Sequence, residues 1–145
     1  MRTPTLNDTE QAYLLRYAAG FFPMADHEDA DEIRWWNPQE RAILPIRGLH
    51  VPKSLRRVVL KSPFEIRIDT AFPAVIAACA AEHSPTWLNA SIKDTFIGLH
   101  RAGFAHSVEC WESGTLVGGV YGLAIGGAFC GESMFSAQSG ASSVA

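Results

Sequence analysis

Residues 104–136 read FAHSVECWESGTLVGGVYGLAIGGAFCGESMFS. Three runs in this stretch alternate with a period of two. The breaks between them, Ser113-Gly114 and Gly126-Gly127, suit tight turns. The spacing predicts a three-stranded antiparallel meander. Gly118, Gly119 and Gly122 in its middle strand predict a bulge, or a close approach by a ligand or another backbone. In the last strand, strict alternation puts Phe129, Gly131, Ser133 and Phe135 on one face. Cys130, Glu132, Met134 and Ser136 fall on the other. A carboxylate at Glu132 beside Met134 would stand in partly apolar surroundings. Desolvation raises a carboxyl pKa there and suits the group to act as a base or an electrostatic partner. Capping a following helix or pairing with an arginine is the structural alternative for Glu132.

Working outward, SIKDTFIGLHRAG predicts a helix ended by Gly103, and SPTWLNA a loop carrying Trp87. Trp87 is a candidate for stacking on a base, with packing as the alternative. AFPAVIAACAA predicts a helix begun by Asp69 or Thr70, and FEIRIDT a strand before it. HVPKSLRRVVLKSPF reads as a helix with Pro52 in its first turn. At about 100° per residue, Lys53, Arg56, Arg57 and Lys61 fall within one arc of about 140°, opposite Leu55, Val58 and Val59. Such a face is either merely solvated or suited to a polyanion. Near the start, NDTEQAYLLRYAAGFFP reads as a helix. Asn7 and Glu10 form a capping box, and Gly20 and Pro23 end it. IRWW and RAILPI predict two short strands, and alternation puts at most one of Trp35 and Trp36 in the core.

Bulk properties narrow the function. The chain has 145 residues, 48% apolar and 19% charged, which is ordinary globular composition. No apolar run is long enough to span a bilayer, and MRTPTLNDTEQ lacks the apolar core of a signal peptide. These features predict a cytoplasmic protein without membrane contact. Cys79, Cys110 and Cys130 are widely spaced, with no C-x-x-C, and are expected as buried free thiols. Net charge is −3, but Asp26, Glu28, Asp29, Asp31 and Glu32 crowd into one loop, so the rest of the chain is net positive. The five histidines show no metal-ligand spacing, no phosphate loop is present, and Ser133 lacks a G-x-S-x-G context. No metal and no cofactor are expected. The organisation expected is α+β, with a small amino-terminal α/β module over residues 1–60 and a larger unit over 61–145.

Read in order, GFFPM, WWNPQERAILP, LHVPKSLRR, DTAFPAVIAACA, TWLN, LHRAGFAHSVECWESGTLVGGVYGLAIGGAFCGESMFS and GAS resemble the leucyl/phenylalanyl-tRNA–protein transferases. The resemblance runs from about Tyr13 to the last residue, and GFAHSVE, LVGGVYG and GESMFS are its most specific parts. It implies transfer of Leu or Phe from aminoacyl-tRNA to the α-amino group of proteins beginning with Arg or Lys, which marks them for degradation by the N-degron pathway. It also implies an acetyltransferase-like (GNAT) fold for residues 61–145 and a monomer. By position, Glu132 matches the family's catalytic glutamate, and Phe129, Met134 and Val120 its apolar side-chain pocket. Gly131 and Ser133 flank that glutamate as substrate-binding positions. Trp87 matches the tryptophan that holds the terminal adenosine. Lys53, Arg56 and Arg57 would follow the acceptor stem through its phosphates. Met24 departs from the pattern, standing where many relatives have a second tryptophan, and Ser143 stands where they carry a lysine. Relatives also continue past the point matching Ala145, into a part that holds a D-x-Q motif. The resemblance thus implies a carboxy-terminally shortened member, active or retained as a non-catalytic binder of aminoacyl-tRNA or basic amino termini. A GNAT enzyme using acyl-CoA would need a pyrophosphate-binding glycine loop, which residues 137–141 imitate poorly.

Overall fold

The computed structural model describes residues 5–61 and 63–145. The first four residues, part of the segment read above for a leader, lie outside them. Among the described residues the chain is mixed α+β, with two antiparallel sheets and five helices. Helix α1 (Asp8–Ala18) begins with the predicted capping box: the Asn7 side chain accepts from the Glu10 amide at 2.8 Å, and Glu10 accepts from the Asn7 amide at 2.9 Å. Gly20, at φ 90°, turns the chain out of the helix. Pro23 does not stop α1 but lies inside strand β1 (Phe22–Ala25), which among the described residues pairs only with β2 (Ile33–Trp36). A proline is tolerated there because a two-stranded ribbon consists of edge strands.

RAILPI, predicted as a strand, is not one. Pro45 removes a ladder donor and starts a turn closed by the Gly48 amide on the Pro45 carbonyl at 3.0 Å. Ile43, Leu44 and Ile46 stay exposed. Helix α2 (Lys53–Lys61) follows, with Lys53, Arg56, Arg57 and Lys61 all exposed.

The second sheet has the order β3-β4-β5-β6: β3 (Glu65–Ile68), β4 (Ala105–Glu112), β5 (Thr115–Ile125) and β6 (Ala128–Ser136), all antiparallel. The last three are the predicted meander, and Ser113, Gly114 and Gly126 take the positive φ its turns require. Helices α3 (Phe72–Glu82) and α4 (Ala90–Arg101) bury Phe72, Val75, Ile76, Phe96 and Leu99 against Tyr121, Leu123 and Phe135 on one sheet face. Helix α1 packs on α4. A Cβ at Gly98 would stand 2.0 Å from the Glu10 carboxylate, so a larger residue there would push that side chain out of its capping position.

Neither Asp69 nor Thr70 caps α3. Its N-cap is Ala71, whose side chain offers no hydrogen bond. The buried Glu109 carboxylate on β4 supplies the cap from outside, accepting from the Thr70 and Ala71 amides at 3.0 and 2.8 Å. Burial pushes the Glu109 carboxyl up, but its hydrogen bonds from Thr70, Ala71, Trp111 and Ser107 outweigh this and leave it below the usual range.

The opposite sheet face is open. The registers align Ile68, Val108, Val120 and Met134 in one row across the four strands. Ile68 and Met134 are 64% and 51% exposed. One end of this face is covered by the short helix α5 (Ala141–Val144), because Gly118 lets Ala141 approach: a Cβ there would lie 2.4 Å from that of Ala141. Helix α2 leans on the same end, with Val58 against Gly140.

Candidate active site

The ladder between β5 and β6 slips once. Tyr121 faces Ser133 and Gly122 faces Gly131, so Glu132 has no cross-strand partner and occupies a bulge. Gly122 makes room for this. A Cβ on it would stand 2.3 Å from the Cys130 carbonyl oxygen and 2.7 Å from the Phe129 ring. The predicted alternation fails at this point, because one extra residue changes the parity of everything after it. Glu132 and Met134 do not share a face. Glu132 turns towards Tyr17 and Tyr121 on the core side, whereas Met134 pairs with Val120 on the open side.

The surroundings of Glu132 are aromatic. Tyr13 and Tyr17 stand four residues apart on one face of α1, and their rings meet Phe96 edge-on at 6.2 and 6.4 Å. Tyr121 meets the same phenylalanine at 5.4 Å. All three tyrosines are buried, and among the described residues none of their hydroxyls meets a partner in well-formed hydrogen-bond geometry. Tyr17's hydroxyl faces the Glu132 carboxylate, and Tyr13's faces Thr95. Burial pushes the Glu132 carboxyl up to about 7; the Tyr17 hydroxyl and the Arg41 guanidinium oppose that rise more weakly. Arg41 is held nearby by donating to the Gly20 carbonyl and lying over the Phe22 ring. A carboxyl balanced near neutral pH can accept and return a proton under ordinary conditions. Neither alternative for Glu132, a helix cap or an arginine ion pair, occurs: no ion pair forms at this residue among the described residues.

The other candidates fall into three places. Val120, Phe129 and Met134 come together on the open face, where Phe129 and Met134 are about half exposed and Phe129 reaches over Gly122. Around Gly131 nothing lies within 4 Å of where a side chain would begin, while Ser133 faces inward towards Cys79 on α3. Trp87 is half-buried rather than exposed. Its loop is tied to β1 by the Ala25 amide on the Trp87 carbonyl at 3.3 Å, and the ring packs against the main core. Lys53, Arg56 and Arg57 line the solvent side of α2, on the same side of the sheet as the open face. Cys79 and Cys110 are buried thiols as expected, and Cys130 is partly buried.

Sequence reasoning passed over Tyr17 and Tyr121. The i, i+4 spacing of Tyr13 and Tyr17 was a signal for a shared face, but the slip that brings Glu132 to them was not visible in the alternation.

Comparison with known proteins bears on this site. The sequence profile of leucyl/phenylalanyl-tRNA protein transferases matches residues 43–145, and that of the same proteins' N-terminal domain matches residues 14–39. The chain belongs to this family. A leucyl/phenylalanyl-tRNA–protein transferase of Paramagnetospirillum magneticum is 50% identical over 140 residues, covering 94% of this chain and 67% of its own length. Those of Novosphingobium aromaticivorans and Roseobacter denitrificans are 49% and 48% identical, covering 51% and 65% of their own lengths. The chain thus spans half to two thirds of these relatives.

Proposed function

We propose that this chain carries the amine-accepting half of an aminoacyl transfer site. Leu or Phe would move from aminoacyl-tRNA to the α-amino group of a protein that begins with Arg or Lys. The observation that carries this reading is the bulge. It draws Glu132 into a desolvated, tyrosine-lined position directly behind Val120, Phe129 and Met134.

The chemistry asks for little else. The aminoacyl ester is already activated, so a neutral amine attacks its carbonyl, the new C–N bond forms, and the ester C–O bond breaks. Glu132, ionised, receives the hydrogen that the attacking nitrogen sheds, and the departing ribose oxygen gains a proton. Val120, Phe129 and Met134 offer a soft apolar surface to the Leu or Phe side chain, which suits unbranched, γ-branched and aromatic groups alike. Gly131 keeps that surface open. Trp87 would hold the terminal adenosine, and Lys53, Arg56 and Arg57 would follow the acceptor-stem phosphates from the same side of the sheet. We further infer an acetyltransferase-like unit over residues 61–145 and a smaller module before it. The separation of the β1–β2 ribbon from the larger sheet supports that division. A cytoplasmic setting fits this chemistry. Among the described residues no helix is long and apolar enough to cross a membrane.

The exposure of Phe129 and Met134 favours a second reading, in which the chain binds aminoacyl-tRNA or basic amino termini without turnover. Transfer of labelled Leu from Leu-tRNA to an Arg-starting peptide separates the two. Transfer that Glu132→Ala abolishes supports the enzyme; binding of Leu-tRNA with no transfer supports the binder.

A further inference from the structure

A second titratable cluster lies on the open side of the sheet, away from Glu132. Ala105, Ser107 and Glu109 of β4 are fully buried on the helix side, so alternation turns His106 to the open side. Its Nδ1 stands 2.7 Å from Oδ2 of Asp69, the residue that follows β3. Asp69 is itself tied to β4: its amide donates to the Ser107 carbonyl at 3.1 Å, and its Oδ1 accepts from the Ser107 amide at 2.9 Å. There it takes a φ of 58°, a left-handed conformation that few residues other than glycine, asparagine and aspartate adopt readily. His100, at the end of α4, flanks the carboxylate at 3.8 Å, but its Nδ1 is 2.9 Å from the Ala105 carbonyl and its ring stacks on Phe72. Burial pushes the Asp69 carboxyl up, yet its hydrogen bonds from His106 and the Ser107 amide outweigh this and leave it below the usual range.

An ionised Asp69 can only accept, so Nδ1 of His106 carries the hydrogen of that bond, and Nε2 of the neutral ring keeps the lone pair. The backbone bonds to Ser107 already hold Asp69 in place. What the histidine adds is a base in a fixed tautomer, and with its side chain 35% exposed, water reaches it. Directly across the ladder stands Gly122, and the Phe129 ring lies over that glycine. Val120 is the diagonal neighbour of His106, a relation that sets residues about 7–8 Å apart. His106 therefore borders the apolar surface of Val120, Phe129 and Met134. The titratable groups facing it are Asp69 after β3 and, beyond the carboxylate, His100 on α4; β5 presents a glycine.

Building on the transferase reading, we propose that His106, oriented by Asp69, is a general base with which water cleaves esters of apolar amino acids, giving the open side of the sheet a second, hydrolytic activity. Water passes a proton to Nε2 as its oxygen attacks the ester carbonyl. The ester C–O bond then breaks, and the same proton passes to the departing ribose oxygen, so the ring ends neutral as it began. The products are the free amino acid and uncharged tRNA, and no further reactant is consumed. Water is the nucleophile this residue serves, because Glu132, assigned to the amine, turns to the core side of the sheet whereas His106 opens to solvent.

The test measures release of free labelled Leu from Leu-tRNA, with no acceptor peptide present, by the 145-residue chain and its His106→Gln, Asp69→Asn and His50→Gln variants. Phenylalanine ethyl ester, which needs no tRNA, is the second probe. Release above the buffer blank is expected from the wild type, slower in D2O because a proton moves in the step, and unchanged in His50→Gln, which alters an exposed histidine before α2. His106→Gln should lower the protein-dependent rate about 10²-fold. Asp69→Asn keeps the left-handed turn but loses the carboxylate. It should lower the rate at saturating ester roughly tenfold, with KM unchanged and little change in melting temperature, a split that a merely structural role would not produce. A wild type that cleaves neither ester above the blank, or hydrolysis that His106→Gln leaves intact, overturns the proposal. If His106-dependent cleavage of phenylalanine ethyl ester is found while Leu-tRNA is not bound, the inference stands and the transferase reading fails.

Discussion

Glu132 makes the fold less stable than a neutral residue would. Its carboxyl titrates near 4.5 when unfolded and about 7 when folded, so the folded state holds the proton more tightly. The corresponding stability is fully present below about pH 4.5 and is lost as the pH rises through 7. Glu132→Gln mimics the protonated form. It should stabilise the chain by on the order of 2–3 kcal/mol at pH 8 and by nothing measurable at pH 4, as read from urea unfolding at the two pH values. A uniform effect of the substitution across pH would show that the carboxyl is not held in a desolvated place. Stability given up at one residue is a common mark of a functional site. Glu109 is the contrast: a buried carboxylate that is fully satisfied by hydrogen bonds, with its pKa moved in the opposite direction.

At the scale of elements, the β5–β6 hairpin carries the geometry. Gly122→Ala would drive a methyl group against the Cys130 carbonyl and the Phe129 ring. It should cost about 1–3 kcal/mol and disturb the Glu132 titration, whereas Gly131→Ala, with open space around it, should be far milder. Helix α2 stands apart energetically, since none of its side chains is buried. Exchanging Arg56 and Arg57 for glutamate should leave the melting temperature within a degree or two. Aminoacyl-tRNA binding should weaken, and its salt dependence should flatten by about one unit of slope per lost phosphate contact. Unchanged salt dependence would remove α2 from the tRNA surface. The meander, the capping box, α4 and the basic face of α2 were all legible in the sequence, because each rests on local periodicity or local punctuation. Three features were not. RAILPI has strand-like composition, but only a neighbouring strand could have made it one. The cap of α3 comes from Glu109, 38 residues downstream of Ala71. The bulge that the glycines of β5 predicted does form, at Gly122, but alternation cannot report that Glu132 is the residue it displaces from the opposite strand. The residues of the site were therefore readable from the sequence, while their sidedness was not.

At the scale of the whole molecule, the sheet is clothed on one face and largely bare on the other. Ile66, Ile68, Phe129 and Met134 are exposed apolar side chains on the bare face, and Ile43, Leu44 and Ile46 before α2 are exposed as well. Surfaces of this kind promote association. Ile68→Lys lies on this face and far from Glu132 in the register. It should reduce dye binding and concentration-dependent self-association in sedimentation while leaving the Glu132 titration unchanged. Association that does not respond to Ile68→Lys would place the sticky surface elsewhere.

The central claim is that a desolvated Glu132 accepts the amine in aminoacyl transfer. The most direct measurement is the rate of labelled Leu transfer from Leu-tRNA to an Arg-starting peptide between pH 5.5 and 9, for this chain and for Glu132→Gln. The account predicts a rate that climbs with a midpoint near 7 and collapses in the variant. A rate that Glu132→Gln leaves intact, or one with no inflection across that range, would contradict it.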